Sequence, residues 1–189
     1  MLLYMIRHGQ SKDNEGQRHS GWSNCSLSEK GIADAQATQK RLIGVEFDKV
    51  YSSDTLRAVQ TRKIIRPDCE PVLTELLREI NVGELSGRPL GNAPENDIEK
   101  YENARNTRDF RAYGGESTED QLKRVQKFIE KIENDPSDRI AVFCHEGTIR
   151  CAFTLLINDG KWAKIACKNG AICIFECSDG KWTLNAWDK

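Results

Sequence analysis

Short apolar runs alternate along this chain with longer stretches in which apolar residues recur every three or four positions. The strand-like runs are residues 2–6, "DKVYSS" around Val50, "RIAVFCH" around Val142, "AICIFEC" around Ile174, and "WTLNAW" near the end. Between the last two stands "SDG", whose Asp179-Gly180 pair suits a tight hairpin turn. Helical periodicity covers residues 28–42, 54–65, 117–132 and 147–156. Ser28 and Ser117 have N-cap chemistry, and Asp120, three residues after Ser117, completes a capping-box pattern. Strands that alternate with helices predict an α/β fold with a mostly parallel central sheet and helices on both faces, a three-layer sandwich. The closing hairpin supplies an antiparallel edge strand.

The stretch 83–115 breaks this rhythm with glycine, proline, asparagine and many charges, and carries one helical segment near 94–111. It is too short for a second core and is expected to cap the sheet within a single domain, 1–189. There is no internal repeat and no coiled-coil heptad.

Composition narrows the function. Lys and Arg number 28 against 29 Asp and Glu, a balance that argues against nucleic-acid or polybasic membrane binding but permits a local basic pocket. No apolar run approaches the ~20 residues of a membrane span, and "MLLYMI" lacks the features of a secretory signal, so a cytosolic (cytoplasmic) protein is expected. The seven cysteines include no C-x-x-C pair, and several lie within apolar runs, where they read as reduced core thiols. With only His8, His19 and His145 available, a histidine-rich metal cluster cannot be built. Nothing in the sequence sets an oligomeric state.

The chemistry lies at strand ends. In open α/β sheets, ligands bind beyond the C-terminal ends of the strands. The first run ends in Arg7-His8-Gly9, the second leads to Arg57 on the first turn of a helix, and "RIAVFC" ends in His145 before another helix. Guanidinium forks and helix N-termini are groups that hold a phosphate.

The stretches "RHGQSKDN", "SSDTLRAVQT", "LREINVGELSG", "GGESTEDQLKRV" and "FCHEGTIR", in this order, resemble the signatures of the histidine phosphatase superfamily, also called phosphoglycerate mutase-like. The resemblance implies that His8 is the nucleophile and becomes a phosphohistidine, with Arg7, Arg57 and His145 in its phosphate pocket. Asn14 matches a polar position that contacts the same phosphate. Glu79 matches the general acid, with Glu84 as local competitor, and a carboxyl beside a bound phosphate is expected to have a raised pKa. "HSGWSNCSLSEKG" resembles a substrate-contact segment, which makes Ser20 and Gly21 candidates against a plain loop; His19 reads as a solvated loop histidine. The chain departs from the pattern at Glu146, where the family usually has a small or neutral residue. That carboxylate would repel a dianion unless it points away, or it could meet a cationic or hydroxyl group of the substrate or serve as a second acid.

The implied activity is hydrolysis of a small-molecule phosphomonoester with no cofactor and no metal, in the branch resembling α-ribazole phosphatase and fructose-2,6-bisphosphatase. The alternative is a 2,3-bisphosphoglycerate-dependent phosphoglycerate mutase, disfavoured by the short cap. A noncatalytic phosphate-binding domain is a third reading, opposed by the complete set of reactive residues.

Overall fold

The computed structural model describes residues 1–94, 97–162 and 165–188. Among them a six-stranded sheet runs in the order β3-β2-β4-β1-β5-β6. The strands are β1 Leu2–Arg7, β2 Lys49–Ser53, β3 Val72–Thr74, β4 Arg139–Cys144, β5 Ile172–Ser178 and β6 Lys181–Ala186. β1, β2, β3 and β4 are mutually parallel, while β5 runs antiparallel to β1 and β6 antiparallel to β5. Asp179 and Gly180, both at positive φ, make the hairpin turn. The α/β class, the mostly parallel sheet and the antiparallel edge therefore agree with the sequence.

Six α-helices accompany the sheet among the described residues: α1 Lys12–Glu15, α2 Glu29–Arg41, α3 Leu56–Ile65, α4 Ile98–Thr107, α5 Thr118–Glu133 and α6 Glu146–Leu156. Alternation along β1 sorts its side chains into two cores. Leu3 and Met5 pack with Val125, Phe128 and Ile132 of α5 and Ile149 of α6. Ile6 packs on the opposite face with Ala35 of α2 and Ile65 of α3. This is the period-2 rule applied to a sheet covered on both sides. Ser28 caps α2 through Gly31, and Ser117 forms a capping box with Asp120 at α5, each such cap contributing about 1 kcal/mol.

Residues 83–115, through Leu85, Tyr101, Ala104, Phe110 and Tyr113, build a third apolar cluster with Ile80 and Val82 just before them. Its helix is shorter than expected. α4 stops at Thr107 because Arg108 takes a left-handed conformation at φ 53°, and the expected positions 95 and 96 lie outside the described residues. All seven cysteines are free, four of them buried and Cys25, Cys69 and Cys177 partly exposed. No helix among the described residues is long and apolar enough to cross a membrane.

Candidate active site

The C-terminal ends of β1, β2 and β4 bring Arg7, His8, Arg57 and His145 together. Gly9 is needed at the first turn: a Cβ there would lie 2.1 Å from the Gly31 carbonyl oxygen, so the chain can pass under α2 only without a side chain. The Gly9 carbonyl accepts from His8 Nδ1 at 2.7 Å, which leaves Nε2 as the lone-pair nitrogen. Arg57 Nε donates to that Nε2 at 3.3 Å. Arg57 is fully buried on α3, and its two Nη atoms donate to the carbonyls of Ser23 and Gly21, each at 2.8 Å.

His145 faces His8 edge-on, with ring centroids 5.0 Å apart. Its Nε2 meets Ser53 Oγ at 3.0 Å and Thr55 Oγ1 at 3.2 Å, while Nδ1 is buried with no partner among the described residues. Burial, then Arg57, His145 and Arg7, holds His8 well below the usual imidazole range. Burial, then Arg57 and Arg7, does the same to His145.

Both imidazoles are therefore neutral, and this has a stability consequence. The unfolded chain takes up protons near pH 6.5 that the folded histidines refuse, so stability is intact above about pH 6.5 and falls as pH drops toward the depressed values. Each histidine contributes up to ~1.4 kcal/mol per pH unit in that window. Urea unfolding between about pH 7.5 and 5.5 should show the loss, and His145→Asn should remove one proton's share of the slope. An unchanged slope in the variant would contradict a buried neutral imidazole.

A cleft of about 290 Å³ opens beside these residues, with Asn14, Ser20, Gly21, Glu79, Glu146 and Gly147 in its lining. A larger depression of about 580 Å³ near the C-terminal ends of α2 and α3 shares no residue with it. Asn14 Oδ1 accepts from Ser11 N–H at 3.1 Å and from Asn169 Nδ2 at 3.3 Å. Ser20 Oγ is buried without a partner among the described residues.

Glu79 sits across the cleft as an acceptor. Oε1 takes Ile80 N–H at 2.8 Å and Gln121 Nε2 at 3.2 Å, and Oε2 takes Gly147 N–H, in the first turn of α6, at 3.0 Å. Gly147 permits this approach, since a Cβ there would lie 2.0 Å from Glu79 Oε1. Burial pushes this carboxyl up, but the charge of Arg108 and the donors from Ile80, Gly147 and Gln121 outweigh it, and the net is downward. The expectation of a raised acid concerns a carboxyl beside a bound phosphate; in the protein alone the cap arginine and the Ile80 and Gly147 amides favour the carboxylate. Glu84 is exposed and does not line the cleft.

The expectation for His19 is corrected. It is buried in the cap cluster, 8% exposed, with Nε2 at 2.8 Å from the Tyr101 hydroxyl, which itself accepts from Gly91 N–H. Glu146 neither points away nor stands free. It bridges Arg7 at 2.9 Å and Arg150 at 2.6 Å, so its charge is shared between two guanidiniums. Arg18, Arg105 and Arg108 also line the cleft and have no carboxylate ion pair among the described residues. Sequence reasoning missed Gln121, Asn169 and the hydroxyls on His145; Gln121, Ser53 and Thr55 lay inside quoted motifs but carried no role there, and Asn169 lay outside all of them. Among the described residues no cluster of three or more His, Cys, Asp or Glu is placed to hold a metal ion.

Known proteins share this architecture. A 2,3-bisphosphoglycerate-dependent phosphoglycerate mutase 2 of Gloeobacter violaceus is 34% identical over 158 residues, 79% of this chain and 72% of that protein. A solved Escherichia coli K-12 structure, a candidate alpha-ribazole-5'-P phosphatase, superposes with TM-score 0.90 at 25% identity, covering 100% of this chain and 96% of that one. The alpha-ribazole phosphatase of Shigella flexneri gives TM-score 0.89 at 24% identity, with coverage of 100% and 96%. Residues 3–189 match the family model of the histidine phosphatase superfamily (branch 1), a superfamily that holds both phosphatases and mutases, and the chain belongs to that superfamily.

Proposed function

We propose that this chain is a phosphomonoester hydrolase that acts on a small phosphorylated metabolite through a phosphohistidine on His8. The observation that carries the reading is the state of His8: Nδ1 is tied to the Gly9 carbonyl, and burial beside Arg57 keeps Nε2 unprotonated. Nε2 attacks phosphorus, the ester P–O bond breaks, and Glu79 gives its proton to the departing oxygen. Water then attacks the phosphohistidine, Glu79 takes a proton from it, the P–N bond breaks, and inorganic phosphate leaves. Arg7, Arg57 and His145 stabilise charge on the transferring group. Asn14 and, from the loop, Ser20 and Gly21 are assigned to substrate contact.

Glu79 must acquire a proton for the first step, although the free protein favours its carboxylate. The substrate supplies the reason. A phosphate at ~5 Å repels the carboxylate by roughly 3 kcal/mol per unit charge at an effective dielectric near 20, which favours the protonated acid.

One observation favours the mutase as a second reading: the 34% identical relative bears that name. Coverage does not separate the readings, since a probable phosphoglycerate mutase aligns over 99% of this chain and 90% of its own length and the phosphatase candidate superposes over 100% and 96%; the short cap, residues 83–115, supports the hydrolase. A complete His8, Arg7, Arg57, His145 and Glu79 set argues against a noncatalytic role. The test is phosphate release from a panel of phosphomonoesters, with and without 2,3-bisphosphoglycerate, before and after dialysis against EDTA. Release should occur without the bisphosphate and survive chelation, because arginines supply the charge a metal would. Interconversion of phosphoglycerates without net release would favour the mutase. Activity lost to EDTA and restored by a divalent ion would overturn the mechanism.

A further inference from the structure

Residues 21–23 touch both halves of the site. The carbonyls of Gly21 and Ser23 accept from Arg57, which also touches His8 Nε2. Trp22, between them, donates its indole N–H to the Glu79 carbonyl at 2.7 Å. The guanidinium carbons of Arg78 and Arg124 lie 4.7 and 5.9 Å from the Trp22 ring centroid, a cation–π arrangement. Neither arginine is loose. Arg78 makes two bonds to Asp54, and Arg124 makes two to Glu116, at 3.0 and 2.9 Å. Arg124 also donates to the carbonyls of Leu76 and Arg78, each at 2.9 Å, and to that of Glu79 at 3.3 Å. The Glu79 carbonyl thus accepts both from Arg124 of α5 and from the indole N–H of Trp22.

We propose that Trp22 is a positioning residue that couples the phosphate-holding Arg57 to the acid Glu79, through the three consecutive residues Gly21, Trp22 and Ser23. The coupling fixes the distance between the phosphorus, held by Arg57 and His8, and the proton on Glu79. Proton transfer to a leaving oxygen is sensitive to that distance, since misplacement on the ångström scale costs on the order of 10²-fold in rate. Arg57 keeps its carbonyl partners whether or not the indole N–H is present, so phosphate binding does not depend on it. The proposal rests on the reading of Glu79 as general acid.

Trp22→Phe removes the donor and keeps an aromatic face for the arginines. It should slow hydrolysis of an alkyl phosphate about tenfold and p-nitrophenyl phosphate much less, with inhibition by inorganic phosphate unchanged. In a Glu79→Gln background the same substitution should add almost nothing, because no proton remains to be placed. β-(3-benzothienyl)alanine at position 22, which replaces only the indole N–H by sulfur, must reproduce the split and covers the case in which phenylalanine fails to fold. Equal losses on both substrates, weakened phosphate inhibition, or a full tenfold loss persisting in Glu79→Gln would overturn the coupling. If Glu79→Gln itself shows no leaving-group dependence, the acid assignment has failed and the proposal falls with it.

Discussion

His8→Ala is expected to abolish phosphate release from every substrate, a loss on the order of 10⁴–10⁶-fold, with the fold retained. Its buried neighbours do not take over. His145 is the nearest imidazole, but its Nε2 is engaged by Ser53 and Thr55 and it lies fully buried. Cys144 and Cys151 are buried, and burial pushes both thiols up, Cys151 to about 12, so neither supplies a thiolate at neutral pH. The variant also removes the acceptor of Arg57 Nε without unpacking Arg57, whose other nitrogens remain bonded to Gly21 and Ser23. Phosphate inhibition or binding measured on the variant should therefore persist while turnover disappears. Residual turnover within about a hundredfold of wild type would place the nucleophile elsewhere.

The second large effect belongs to Glu79. A general acid matters most for an alkoxide leaving group and least for an aryl oxide that departs unaided. Glu79→Gln should slow an alkyl phosphate by about 10²–10⁴-fold and p-nitrophenyl phosphate much less. The glutamine can keep an acceptor toward Gly147 N–H but then turns its NH2 toward the Ile80 and Gln121 donors, so the ratio of the two rates, and not the absolute loss, reports the proton. Glu84→Gln should leave the ratio of the two rates near wild type, since Glu84 is exposed and lies outside the cleft lining. If the leaving-group dependence followed Glu84, the acid would be misassigned while the histidine chemistry could stand.

What the sequence revealed followed from periodicity and from strand ends. β1, β2, β4 and β5 each announce themselves by apolar runs, because their side chains fill the two cores, and β6, mostly exposed at the far sheet edge, announces itself by the Asp179-Gly180 turn before it. β3 does not. It has three residues, and Val72 and Leu73 are exposed at the sheet edge, so burial imposes no pattern on them. The meeting of Arg7, His8, Arg57 and His145 was legible because each stands at the end of its own strand or on the turn after it, where α/β geometry collects polar groups.

Partners donated by distant segments were not legible. Gln121 reaches Glu79 from α5, and Asn169 reaches the His8 carbonyl from the turn before β5. His19 misled for a similar reason. Its neighbours in sequence are polar, but the cap folds Tyr101 and Phe110 over it. The acidity of Glu79 depends on Arg108, a residue whose place at the cleft follows from the left-handed end of α4 and not from any motif. Glu146 could be recognised as a departure, yet only the two arginines that bracket it show why its charge is tolerated.

The central claim is a covalent phosphohistidine, and trapping tests it most directly. Wild-type protein mixed with excess phosphomonoester, quenched in alkali within a turnover and digested for mass spectrometry, should yield one phosphorylated peptide. The phosphate should map to His8, survive base, and be lost in acid. It should accumulate further in Glu79→Gln with p-nitrophenyl phosphate, where the leaving group departs unaided but water lacks its base. An acid-stable phosphate on a serine, threonine or tyrosine, or a pre-steady-state burst of p-nitrophenol with no phosphate on His8, would contradict the account.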